Sequence, residues 1–159
     1  MANKVRTVGE EIRQTKPFDS RAEEAILTLY RTADAVQRDF TTLIEPHGIS
    51  AQQYNVLRIL RGAGSDGLPT LEIADRMIER TPGITRLLDK LEAKRLVRRH
   101  RCPRDRRQVL CNITEGGIRL LAELDQPVAE TGVRAMRGLS AAQLRQLIDL
   151  LNQLRAALS

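Results

Sequence analysis

The spacing of apolar residues changes from a helical period to a strand period near residue 95, and this change constrains the fold more than any other feature of the sequence. In the segment from Pro82 to about Lys94, apolar residues recur at positions i, i+3, i+4 and i+7. These residues are Ile84, Leu87, Leu88 and Leu91. The spacing predicts a helix with one buried face. Thr81 is the predicted N-cap, and Pro82 is predicted to occupy the first helical position.

A shorter helix is predicted to precede this one. Thr70 is its predicted N-cap, and the helix is expected to run from Leu71 to about Ile78. Its predicted inward-facing residues are Leu71, Ala74, Met77 and Ile78. The outer face of the second helix, at 100° per residue, carries Pro82, Thr85, Arg86, Asp89 and Lys90. Two short helices joined by a tight turn, the second with a basic outer face, indicate a helix-turn-helix unit.

Two short strands are predicted beyond residue 95, over Leu96–Cys102 and Gln108–Ile113. The segment Pro103–Arg107 forms the turn between them. Its basic residues are Arg104, Arg106 and Arg107. A basic hairpin after a basic helix is typical of a winged helix-turn-helix, whose hairpin, the wing, lies along the DNA backbone or minor groove.

The net excess of positive charge is confined to this part of the chain. Residues 80–107 contain eleven Lys or Arg and three acidic residues, a net of +8, whereas the other residues sum to −2. Such a segment predicts binding to a polyanion. All four aromatic residues lie before it, so it lacks the stacking side chains typical of single-strand binding or of membrane-surface helices. Duplex DNA is the favoured partner; binding to RNA and docking to an acidic protein remain alternatives.

Long amphipathic helices are predicted on both sides of this lobe. The capping box Ser20–Glu23 opens one, and Thr114 caps another. We expect residues 20–48 and 114–159 to form a helical homodimer interface, although packing within one chain is an alternative. Its residues in the last helix are Leu144, Leu147, Leu151 and Leu154. The predicted fold is mainly α with a small β-hairpin wing (α+β), with residues 1–19 as an extension and 49–113 as the DNA-binding lobe.

Other classes of function have little support in the sequence. No apolar run approaches the roughly 20 residues needed to span a bilayer, and the N-terminus lacks the apolar core of a signal peptide. We therefore expect a cytoplasmic protein with no membrane partner. The two cysteines and two histidines form no metal-ligand or nucleophile–base spacing, so we expect no metal, no cofactor and no enzymatic activity. A disulfide between Cys102 and Cys111, on facing strands, remains a redox alternative.

The sequence resembles the MarR family of bacterial transcriptional regulators. The resemblance rests on the motif Thr85-Arg86-x-Leu88-x-x-Leu91-Glu92, followed by Leu96-Val97-x-Arg99, Asp105-x-Arg107 and Ile113-Thr114-x-x-Gly117. The order of predicted elements agrees with the family from Ser20 to Leu158. The sequence departs from it at Arg95, where the family usually has a glycine with a left-handed backbone.

The resemblance implies a homodimeric regulator, most often a repressor, that binds a pseudo-palindromic operator. Thr85 and Arg86 would then lie in the major groove and Arg107 in the minor groove, while Asp105 helps to shape the wing. Asp89 would either accept a hydrogen bond from cytosine or pair with a neighbouring arginine, and we favour the pair. Many relatives respond to small phenolic or anionic effectors. Residues near the implied effector crevice are Tyr30, His47, Tyr54 and Arg58; the alternative is that the tyrosines are core residues and His47 is solvated.

Overall fold

The computed structural model describes residues 6–80, 82–102, 105 and 108–158. The chain forms two compact units, residues 1–40 and 41–159, and helix α2 crosses the boundary between them. Within the described residues, none of the helices combines the length and the apolar character that crossing a membrane requires.

The first unit consists of a short helix, α1 (Val8–Glu11), and most of a long one, α2 (Arg21–Ile44). The predicted cap of α2 is confirmed, because the Ser20 hydroxyl oxygen accepts a hydrogen bond from the Glu23 amide at 3.1 Å. Apolar residues on α2 remain exposed to solvent: Ile26 is 50% exposed and Tyr30 69%. These apolar residues of α2 are therefore not covered by other residues of the first unit.

The second unit contains five helices and a small sheet. The helices are α3 (Ala51–Ala63), α4 (Thr70–Arg76), α5 (Ile84–Ala93), α6 (Glu115–Met136) and α7 (Ala141–Ala156). The strands are β1 (Leu68–Pro69), β2 (Val97–Arg101) and β3 (Val109–Ile113), in the antiparallel order β1-β3-β2. The mainly helical architecture and the wing hairpin are therefore as predicted. The two-residue strand β1 was not predicted, because so short a segment has no readable alternation.

The core of the second unit lies between α3, α4, α5, β3 and α6. Leu57 and Leu60 of α3 are fully buried, as are Ile73 of α4 and Leu88 and Leu91 of α5. Helix α6 contributes Leu121 and Leu124, and β3 contributes Cys111. This packing buries one side of α5 and leaves the opposite side exposed to solvent.

The predicted inward face of α4 is wrong for two residues. Leu71 is 79% exposed and Ile78 is 87% exposed, whereas Ile73 and Met77 are buried. Ile73 and Met77 are four residues apart and define the buried stripe, from which Leu71 points away. Ile78 follows the end of the helix, where its amide donates to the Asn55 side-chain oxygen at 3.0 Å. The N-cap is also Pro69 rather than Thr70, so the helix has no side-chain cap.

Helix α5 begins two residues later than predicted. Gly83 is its N-cap, with a left-handed φ of 101°, and no side chain caps the helix. Glycine tolerates this conformation because it has no Cβ, and Pro82 is thereby placed in the preceding turn. The predicted cap Thr81 lies outside the described residues.

The start of α6 packs tightly against the end of α5. Thr114 caps α6 by accepting from the Gly117 amide at 3.2 Å, and its hydroxyl donates to the Arg95 carbonyl at 2.7 Å. A Cβ on Gly117 would lie 2.6 Å from the carbonyl oxygen of Leu96. Gly117 is therefore required for the close approach of α6 to the segment between α5 and β2.

The substitution Gly117→Ala is expected to lower the free energy of unfolding by about 1–3 kcal/mol, because the backbone of Leu96 would have to move. The matched control is Gly116→Ala, where the nearest atom to the new Cβ lies at 3.5 Å. The control should be neutral or should raise stability by up to about 1 kcal/mol, since alanine favours helix. Urea denaturation measures both, and equal effects of the two variants would contradict the packing.

Candidate nucleic-acid interface

The outer face of α5 is exposed as predicted. Pro82, Thr85, Arg86, Asp89 and Lys90 are all solvent-exposed, while the opposite side of the helix is buried. No ion pair joins Arg86 or Lys90 to any residue in the described part of the chain. Both cations are thus available to an external anion.

Asp89, the one acidic residue of this face, is paired with Arg99 of β2. Arg99 Nη2 lies 2.6 Å from Asp89 Oδ1, which confirms the prediction that Asp89 pairs with an arginine. The same guanidinium donates to Glu92 Oε2 from Nε at 2.9 Å and from Nη2 at 2.6 Å. The Arg99 amide also donates to Glu92 Oε1 at 3.1 Å. Hydrogen bonding by Arg99 lowers the pKa of the Glu92 carboxyl, which favours its ionised form.

The pairing of Glu92 with Arg99 was missed in the sequence. These residues are seven apart and belong to different elements, so no helical i,i+4 spacing marks the pair. The bidentate ion pair of Arg61 with Asp125, at 2.8 Å for both bonds, was also missed. It joins α3 to α6 across 64 residues, a separation at which sequence spacing carries no signal.

Helix α5 ends in a Schellman motif centred on Arg95. The Leu96 amide donates to the Leu91 carbonyl at 3.0 Å, and the Arg95 amide donates to the Glu92 carbonyl at 2.8 Å. Arg95 has a φ of 58°, so it adopts the left-handed conformation that the glycine of the resembled family pattern would favour. The departure from the family pattern therefore leaves the geometry at the end of α5 unchanged. The unfavourable free energy of the left-handed backbone is then carried by Arg95.

Arg95→Gly is expected to be more stable than Arg95→Ala by about 1 kcal/mol, because only glycine relieves the left-handed backbone. Both variants lose the same positive charge, so their difference isolates the backbone contribution. Thermal unfolding of the two proteins side by side measures it. Equal melting temperatures would mean that Arg95 carries no backbone strain.

The base of the wing is defined by the pairing of β2 with β3. Arg99 lies opposite Cys111, and Arg101 lies opposite Val109. Beyond the strands, the Gln108 amide donates to the Asp105 carbonyl at 3.0 Å. Arg98 and Arg101 on β2 are exposed. The predicted wing-tip residues Arg104, Arg106 and Arg107 lie outside the described residues.

The register excludes a disulfide between Cys102 and Cys111 within the wing. Cys111 is opposite Arg99, and Cys102 follows Arg99 by three residues, just beyond the end of β2, a distance of roughly 10 Å at the rise of a strand. A disulfide requires Cα atoms within about 7 Å. Cys111 is also fully buried, and burial raises the pKa of its thiol. The redox alternative in this form is wrong.

The four predicted effector-pocket residues occupy different surroundings. Tyr54 is only 5% exposed, and its hydroxyl accepts a hydrogen bond from Arg58 Nη1 at 3.2 Å. The Arg58 guanidinium carbon also lies 5.9 Å from the Tyr54 ring centre. His47 instead lines an open cleft of about 530 Å³ with Lys94, Leu96 and Arg119 among its walls. Tyr30 belongs to the first unit and is exposed.

The predicted interface residues of α7 leave an apolar face open. Helix α7 contains no buried residue. Leu144 and Leu147 are half-buried, whereas Leu151 is 36% exposed and Leu154 43%. A helix of this kind covers little of the core of its own unit.

Comparison with known proteins relates the second unit to one family. A family model described as the MarR family matches residues 47–108. The curated HTH-type transcriptional regulator MhqR of Bacillus subtilis is 33% identical over 98 residues. That alignment covers 62% of this chain and 66% of MhqR, so the chain spans about two thirds of the length of that relative.

Two solved structures extend the similarity to most of the chain. A MarR transcription factor from Planctomyces limnophilus is 41% identical, with a TM-score of 0.66, over 86% of this chain and 99% of that one. A mutant MarR from E. coli, crystallised with operator DNA, is 26% identical, with a TM-score of 0.71, over 79% of this chain and 89% of that one.

Proposed function

Because the chain belongs to the MarR family of transcriptional regulators, we propose that it binds a pseudo-palindromic operator in double-stranded DNA as a homodimer and represses transcription there. The observation that carries the proposal is the exposed face of α5, where Arg86 and Lys90 have no ionic partner among the described residues. The similar MarR protein complexed with operator DNA supports duplex DNA as the polyanion.

In this proposal the helix and the wing have separate roles. Thr85 and Arg86 enter the major groove, where arginine forms a bidentate contact with guanine. Lys90 and the segment of Thr81 and Pro82 contact the backbone beside the groove. In the wing, Arg107 enters the minor groove, Arg104 and Arg106 contact phosphates, and Asp105 holds the shape of the turn.

The homodimer is proposed from the uncovered apolar faces of the outer helices. Residues 20–48 and 114–159 supply these helices, and residues 49–113 form the DNA-binding lobe. The exposed leucines of α7 form an apolar surface that the described residues of the second unit leave uncovered. A two-fold dimer presents two copies of α5 to half-sites about one helical turn apart, which matches a pseudo-palindromic operator.

A small phenolic or anionic effector is proposed to relieve repression. The observation that favours this is the position of Arg58, an exposed cation stacked beside the Tyr54 ring. The Tyr54 ring is buried, so the exposed Arg58 guanidinium is the group that offers an anionic aromatic molecule both positive charge and a flat surface. The test of this part compares the wild type with Arg58→Gln. The effector should lower the DNA affinity of the wild type and leave that of Arg58→Gln unchanged.

The proposed function is tested by selecting bound duplexes from a random-sequence pool with the purified full chain. We expect enrichment of an inverted repeat whose half-sites are about one helical turn apart. Recovery of no motif would contradict sequence-specific binding. The same selection with an RNA pool addresses the RNA alternative, and affinity for neither nucleic acid would favour an acidic protein partner.

A further inference from the structure

Arg99 of β2 is bonded directly to α5, the recognition helix of the proposed DNA complex. It donates four hydrogen bonds to α5, three to Glu92 and one to Asp89, all between 2.6 and 3.1 Å. Three of the four come from Nε and Nη2 of the guanidinium. These donors therefore already form hydrogen bonds within the protein. Arg86, one turn before Asp89 on α5, instead has no ionic partner among the described residues.

The exposure of the three side chains agrees with this arrangement. The Arg99 side chain is 25% exposed, whereas Asp89 is 53% exposed and lies on the face with Thr85 and Arg86. Asp89 is thus the carboxylate nearest to a duplex docked on α5, and Arg99 reaches it from the side of the wing.

An unpaired aspartate at this position would affect DNA binding in two ways. Its charge would repel the phosphates, and its oxygens would accept hydrogen bonds from the amino group of cytosine. Because the Oδ1 atom of Asp89 lies 2.6 Å from Arg99 Nη2, both effects are reduced.

We propose that Arg99 is a positioning and specificity-determining residue, which fixes the wing to the recognition helix through Glu92 and withholds Asp89 from base reading. This inference rests on the proposed DNA-binding function. Arg99 acts through the two carboxylates and forms no phosphate contact of its own. Thr85 and Arg86 consequently set the base preference of the protein, and Asp89 contacts no base while Arg99 is present.

The experiment compares the sequences that Asp89→Asn, Arg99→Gln and the double variant select from the same random duplex pool. Asp89→Asn should select the wild-type motif with affinity within about twofold of wild type, because the lost carboxylate reads no base. Arg99→Gln should lose on the order of tenfold in affinity and gain a preference for cytosine at one position of each half-site. The double variant should lose that gained preference.

Two further variants separate positioning from charge. Arg98→Gln removes an equal charge from the neighbouring exposed residue, so it should leave the base preference unchanged. Arg99→Lys should restore only part of the affinity, because an ammonium group cannot form the fork between both carboxylates. The slope of log affinity against log salt should be unchanged in the double variant, which removes Arg99 without leaving the Asp89 charge unpaired, since no phosphate contact is lost.

The outcomes distinguish this inference from the proposed function. If the wild type selects no motif, the proposed function fails. If Asp89→Asn loses a base preference that the wild type shows, Asp89 reads a base and the inference is overturned. A salt slope reduced by about one in the double variant would also overturn it, because Arg99 would then contact a phosphate. Should Arg99→Gln unfold, the Asp89→Asn result remains decisive, since that side chain is more than half exposed.

Discussion

Leu151→Arg is expected to separate the proposed homodimer into single chains of 17.9 kDa. Leu151 lies at the centre of the apolar face of α7 and is 36% exposed in one chain, so a partner chain would bury it. Placing an unpaired arginine in such an interface costs several kcal/mol. Sedimentation equilibrium measures the mass directly.

The matched control is Gln153→Arg, which adds the same charge on the opposite face of α7. It should leave the mass at that of two chains. Operator affinity should fall by orders of magnitude in Leu151→Arg only, because one chain engages a single half-site. An unchanged mass for Leu151→Arg would mean that the interface lies elsewhere.

Arg86→Ala is expected to weaken operator binding by about 1–3 kcal/mol and to relax the preference at one base pair of each half-site. The reason is the exposed position of Arg86 on α5 and the absence of an ionic partner among the described residues. Fluorescence anisotropy with the operator and with single-base variants of it measures both effects.

Arg86→Lys provides the informative comparison, because it keeps the charge and loses the bidentate fork. It should reproduce the loss of base preference while retaining the salt dependence. Arg101→Ala, an exposed cation of β2, should weaken binding to all sequences equally. Equal losses on operator and scrambled duplex for Arg86→Ala would show that Arg86 contacts only the backbone.

Helix faces with a strong period were predictable from the sequence. The buried stripe of α5 and its exposed basic face follow from the spacing of Leu88 and Leu91. The caps at Ser20 and Thr114 were equally predictable, because a hydroxyl three residues before a free amide is a local signal.

Features that depend on tertiary packing were not predictable. Leu71 has the same apolar character as Ile73, and only the position of α4 on the core decides that Leu71 is exposed. The start of α5 was misplaced because Gly83, not Thr81, precedes the first helical residue, and a proline nearby gives a competing signal. The pairing of Asp89 with an arginine was predicted, but the bonds from Arg99 to Glu92 were not, because they join two elements across the turn of the chain at Arg95.

Affinity for a selected operator relative to a scrambled duplex of equal length tests the account most directly. Fluorescence anisotropy with the full chain should be run at near-physiological and at low salt, because affinity without a salt concentration has no meaning. We expect nanomolar binding to the operator, at least about a thousandfold tighter than to the scramble at near-physiological salt. Equal, weak and salt-sensitive binding to both duplexes would contradict a sequence-specific regulator and reduce the basic segment to a nonspecific polyanion-binding surface.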